Sequence, residues 1–189
     1  MVKLPLRISR RRLLRSGLAL GTFVIAGSGL AFLRTRGYVV PPERAASLTS
    51  LSAWQWVFVT HAARRIAAPD RPADSSIPTP DDVDVAGFID DYVGRMPHEL
   101  RRDLFRAFAY VEHVAPLRRG YLSRFSRLPK DDQDEVLTSL ATSEQELLRG
   151  AFEGIKSLVF MGYYRDARTW KILGYDGPFV GRPVGGWTR

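Results

Sequence analysis

The stretch that most constrains this chain is residues 151–178, AFEGIKSLVFMGYYRDARTWKILGYDGP, with the turns just before it. Leu147, Leu148, Ala151, Phe152, Ile155, Leu158, Val159, Gly162 and Tyr163 recur at three- and four-residue steps, which places them on one face of an α-helix. Ser143, followed by Glu146, has the spacing of a capping box and predicts the helix start. Phe160 and Met161 fall on the side opposite that face. The last turns are therefore apolar all round, and the expectation is burial within the domain or under a partner. The helix then meets paired tyrosines, a tryptophan and a glycine-rich exit, none of which is an obvious catalyst.

Helical periodicity recurs through the rest of the chain. Residues 50–67 read as a helix with Leu51, Trp54, Phe58, His61, Ala62 and Arg65 on one face, ended by Pro69. Thr79 and Pro80 predict the cap and first turn of the next helix, whose Val85, Phe88, Ile89, Tyr92 and Val93 face inward until Pro97. A third helix covers residues 97–115, with Pro116 kinking or ending it. Pro129 opens a further one that docks through Val136, Leu137 and Leu140. The fold class is all-α: one helical domain of about five to six helices, over residues 49–173. It is preceded by a leader at 1–36 and a linker at 37–48, and followed by an irregular arm at 174–189.

Charge separates the leader from the body. The chain of 189 residues has a formal net charge of +8, yet residues 1–36 hold eight Lys or Arg and no acid, which leaves 20 basic against 20 acidic residues beyond them. A surplus confined to the leader argues against nucleic-acid binding. Within it, Ser9, Arg10, Arg11, Leu13, Leu14 and Arg15 fit a twin-arginine export signal, followed by an uncharged, glycine-diluted run over residues 16–33. Those 18 residues are also just long enough to span a ~30 Å hydrocarbon core, so cleavage and retention as a membrane anchor both stay open. The expected location is the periplasm or the outer face of the cytoplasmic membrane, reached through the twin-arginine translocase. The chain has no cysteine, which excludes disulfides and cysteine-ligated clusters or haems within it.

Candidate reactive residues read better as structure. His61 sits in the register of a hydrogen-bonded core histidine. Asp81, Asp82 and Asp84 suit a helix N-terminus, because an EF-hand counted from Asp81 would put Ala86 and Tyr92 where glycine and a bidentate glutamate belong. The pairs His98–Glu99 and Glu112–His113 are neighbours in sequence and point roughly 100° apart on a helix, which does not align metal ligands. Arg101, Arg102, Arg106, Arg118 and Arg119 could bind something acidic or form a solvated face. No metal site is expected.

The run Gly162-Tyr163-Tyr164-Arg165-Asp166, then Trp170, then Gly174-Tyr175-Asp176-Gly177-Pro178, resembles the C-terminal signature of the gluconate 2-dehydrogenase subunit 3 family. The likeness reaches back through Phe125-Ser126-Arg127-Leu128-Pro129 and over most of the exported part, with Ala167 in place of the family's proline. What the resemblance implies is a non-catalytic small subunit, supporting the export and stability of a flavin-dependent dehydrogenase of the glucose-methanol-choline type. No cofactor is then expected in this chain; FAD would sit on the large flavoprotein subunit, with a cytochrome c subunit as a further candidate partner. Tyr163, Tyr164, Trp170, Tyr175, Pro178, Phe179 and Trp187 are the expected partner-binding residues, although rings on a glycine-rich arm can equally fold back over their own domain. An independent enzyme finds no phosphate loop, nucleophile elbow or paired-histidine motif. A membrane-tethered helical interaction protein with an unrelated partner remains the alternative.

Overall fold

A computed structural model describes residues 36–67 and 76–177. The expectations for Ser9, Arg10, Arg11, Leu13, Leu14 and Arg15, for the anchor, and for Pro178, Phe179, Trp187 and most of the arm lie outside the described residues. All regular structure among the described residues is helical. In chain order come α1 (Pro42–Ser47), α2 (Ala53–Ile66), α3 (Val85–Gly94) and α4 (His98–Ala109). A π-helical turn (Tyr110–Val114) leads into α5 (Ala115–Arg118), and a 3₁₀ turn (Phe125–Arg127) precedes α6 (Lys130–Ala141). Then follow α7 (Glu146–Tyr164) and a 3₁₀ helix (Ala167–Leu173). From Tyr38 onward the described residues form one unit.

Two helices organise the packing. Both α2 and α7 touch α3, α4 and α6, so the core lies where they meet. Its centre is a ring cluster in which Phe58 of α2 lies 5.2 Å from Phe108 of α4 and 5.7 Å from Phe125 of the 3₁₀ turn, all three fully buried. Around them pack Val85, Ile89 and Val93 of α3, Val136 and Leu140 of α6, and Ile155, Val159 and Tyr163 of α7. Each such side chain contributes roughly 1.5–3 kcal/mol by leaving water. At Gly162 side chains of α3 pack directly on the α7 backbone, since a Cβ there would lie 2.9 Å from Phe88 Cδ1 and 3.1 Å from Val85 Cγ1.

Several helix ends differ from the sequence expectation. The capping box of α2 is formed by Ser52 and Gln55, the Ser52 N–H donating to Gln55 Oε1 at 2.8 Å, so the helix starts three residues past Ser50, at Ala53. Thr79 does not cap α3. It exchanges hydrogen bonds with Asp82 in a preceding turn, and Asp84, held at φ 51°, takes the cap by accepting from Gly87 N–H. Ser143 and Glu146 form no capping box at α7: the Ser143 hydroxyl accepts from Gln145 N–H, and Arg149 holds the Ser143 and Glu144 carbonyls. The first turn of α7 consequently projects outward, and Leu147, expected on the buried face, is 82% exposed. Pro116 does not end the third helix at its own position, since helical residues run on to Arg118. The helix widens upstream, with Ala115 N–H donating to Tyr110 O, which relieves the clash between the proline ring and the carbonyl four residues back.

Two buried carboxylates tie irregular segments to this frame. Asp90 of α3, 3% exposed, accepts from the backbone N–H groups of Thr49, Ser50 and Leu51 at 2.8, 2.9 and 2.6 Å and from the Thr49 hydroxyl at 2.9 Å. Burial alone would raise its pKa, but these donors outweigh it and hold the carboxyl below its usual value. Gly94 leaves room for the strap so held, since a Cβ would lie 2.6 Å from Ser50 Oγ. Glu112 is fully buried in the π turn and accepts from the Tyr38 hydroxyl at 2.9 Å and from Ser126 Oγ at 2.6 Å. Arg124 Nε lies 3.3 Å from it, with the guanidinium stacked 3.6 Å from the centre of the Tyr38 ring. Burial pushes the Glu112 carboxyl upward against these partners.

Candidate functional site

The signature residues at the end of α7 fold into a cap built from their own polar groups. An α-helix leaves its last carbonyls without intrahelical donors. Here Trp170 Nε1 donates to Tyr164 O at 2.7 Å, and the buried Thr169 hydroxyl contacts Tyr163 O at 3.3 Å and Asp166 O at 2.8 Å. Asp166 starts the 3₁₀ helix by accepting from Arg168 N–H at 2.9 Å. Its carboxyl also holds the Arg168 guanidinium, whose hydrogen bonds lower its pKa to about 2. Gly174 ends the 3₁₀ helix with φ 61°, a left-handed conformation natural to glycine. Tyr175 N–H then returns to Trp170 O, and the two rings meet at a tilt of 58° with centres 5.2 Å apart.

The structure divides the expected partner-binding residues. Tyr163 is wholly buried and donates its hydroxyl to Pro78 O at 2.9 Å, so it packs the domain's own core and presents no surface to a partner. The helical period puts it there: Tyr163 lies four residues after Val159 on the inward face. Tyr164 and Trp170 are half-buried and Tyr175 is 38% exposed. Phe160 packs against Tyr164 at 5.5 Å, and Met161 and Leu173 stand exposed nearby in sequence. Arg165 fastens this end to the α3 side, donating to Val83 O at 3.0 Å with its guanidinium 5.2 Å from the Phe88 ring centre. The result is a set of aromatic rings in mutual contact, with Trp170 fixed by its indole hydrogen bond and Tyr175 by its backbone.

The polar centres behave as structure. His61 Nδ1 pairs with Gln133 Nε2 at 3.2 Å, and burial, helped by Arg64, lowers its pKa and favours the neutral ring. Asp81, Asp82 and Asp84 are engaged by Arg64, Thr79 and Arg44 respectively. Among the described residues no three His, Cys, Asp or Glu side chains group as metal ligands, and no helix is long and apolar enough to cross a membrane. Sequence reasoning missed the Glu112–Arg124–Tyr38 centre and the Asp90 strap. Glu112 was in view only as a neighbour of His113, and no local pattern marks its partners.

A family model described as Gluconate 2-dehydrogenase subunit 3 matches residues 53–177. The chain belongs to this family. The match starts at the first residue of α2 and ends within the Gly174–Gly177 exit, so it takes in the core helices and the cap with Trp170 and Tyr175. The resemblance read from the Tyr-Tyr, Trp and Gly-Tyr signature is thus borne out. Family membership makes the chain an accessory subunit of a gluconate 2-dehydrogenase, associated with the other subunits of that enzyme. Neither the curated proteins nor the solved structures contain a match.

Proposed function

We propose that this chain is the non-catalytic small subunit of an exported, flavin-dependent dehydrogenase of the glucose-methanol-choline type. The match across residues 53–177 carries the reading. FAD and substrate chemistry belong on the large subunit, with a cytochrome c subunit as a further member of the complex. The Ser9–Arg15 signal supplies the address for the twin-arginine translocase, and the assembled complex works in the periplasm or on the outer face of the cytoplasmic membrane. Physical support comes from the α7 cap: Tyr164, Trp170 and Tyr175 are partly exposed rings held in place, which lose little conformational entropy on docking.

The experiment is co-expression with the flavoprotein of the same organism, with Arg10→Lys and Arg11→Lys introduced into this chain. Dehydrogenase activity is expected to shift from the periplasmic to the cytoplasmic fraction. Undiminished periplasmic activity would remove the export role, and a purified chain that oxidised a sugar or alcohol by itself would remove the accessory role.

A further inference from the structure

Arg101, Arg102, Phe105 and Arg106 of α4 line one side of an open groove of about 620 Å³, whose other side is the strap at Thr49 and Ser50. The groove-facing positions run from His98 to Ala109 at steps of three and four, a stripe about 16 Å long at ~1.5 Å per residue. Phe105 and Ala109 supply apolar floor, and no acidic side chain is among the residues that line the groove. Arg102 pairs with Glu99 and Arg106 with Asp103 on the exposed flank, contacts that cost little to exchange. Arg101 is half-buried and has no ion-pair partner among the described residues. The opposite wall is rigid, because Asp90 holds three successive N–H groups of the strap and Gly94 lets it close up.

We propose that this groove docks an acidic, amphipathic polypeptide segment, with apolar side chains on Phe105 and Ala109 and carboxylates on Arg101, Arg102 and Arg106. The groove-lining charge is complementary to an anion, and a stripe of about 16 Å matches a segment several residues long rather than one inorganic ion. A concave wall does not lie flat on a bilayer, which disfavours lipid headgroups. The assignment of that segment to the dehydrogenase's large subunit rests on the accessory-subunit reading. It adds a second contact surface, on α4, to the one at the end of α7.

The test compares the full chain with its Arg101→Glu/Arg106→Glu variant, both checked for native helicity by circular dichroism. Binding of a fluorescein-labelled 12-residue peptide of Glu and Leu at helical spacing is read by anisotropy, and the co-expressed flavoprotein is read by co-purification. The variant is expected to bind the peptide at least ~10-fold more weakly, with binding of the wild type falling as salt rises, and to retain less flavoprotein. Equal peptide affinity in both proteins, or none in the wild type, overturns the proposal, as does preferential binding to phosphatidylglycerol vesicles. Equal retention of flavoprotein by both proteins removes the groove from the complex while leaving the accessory role intact. Peptide binding as expected with no flavoprotein retained by the wild type keeps the groove and removes the accessory role.

Discussion

Asp90 places one carboxylate against four donors from residues 49–51, and Glu112 places another against Tyr38, Ser126 and Arg124. Neither is marked by its sequence neighbours, since a carboxylate at a helical position ordinarily reads as solvated. Asp90→Asn should cost about 2 kcal/mol at neutral pH, because a neutral amide weakens hydrogen bonds that a charge had strengthened. The pH dependence has a fixed sign. A carboxyl held below its usual pKa in the folded state stabilises the fold above the unfolded value of about 3.9 and loses that contribution as pH falls through the lowered folded value. Urea titrations should therefore show the gap between wild type and Asp90→Asn narrowing below about pH 4, and a gap independent of pH would count against the assignment. Arg124→Met leaves Glu112 as a buried charge without its cation, and a loss of about 3–5 kcal/mol is expected in the same titration.

Among the elements, α7 shows how one helix can serve packing and surface at once. Its glycines separate the two roles: Gly162 sits where α3 approaches, while a Cβ at Gly154 meets nothing within 4 Å. Gly162→Val should push Phe88 and Val85 aside and cost more than about 2 kcal/mol. Gly154→Ala should raise stability by up to about 1 kcal/mol through helix propensity, and thermal unfolding of the pair checks both signs. At its C-terminus, Trp170→Phe removes the donor to Tyr164 O while keeping an aromatic ring. Faster amide exchange is expected in the last turn of α7 and the 3₁₀ helix, with exchange in α2 unchanged; uniform loss of protection would contradict a local capping role.

For the whole molecule, the segment from Tyr38 to Leu51 belongs to the body although the family match begins at Ala53. A chain starting at Tyr38 should unfold cooperatively in denaturant, whereas one starting at Ala53 strips Asp90 of its donors at residues 49–51 and Glu112 of the Tyr38 hydroxyl, and should populate a loosely packed state. Near-UV circular dichroism separates the two. The helices themselves were legible from apolar positions at three- and four-residue steps, as the buried faces of α2, α3, α6 and α7 show. Those patterns are interactions between near neighbours, and one-dimensional spacing contains them. The first turns were less legible, because Thr79 and Ser143 form local turns that compete with capping. By itself the sequence determined an all-helical body, its family and the place of its aromatic cap. Tertiary structure alone decided that the Tyr163 hydroxyl meets Pro78, that Glu112 is buried and that Asp90 holds the strap. Their partners lie 85, 74 and 41 residues away in the chain, and only packing brings such pairs together.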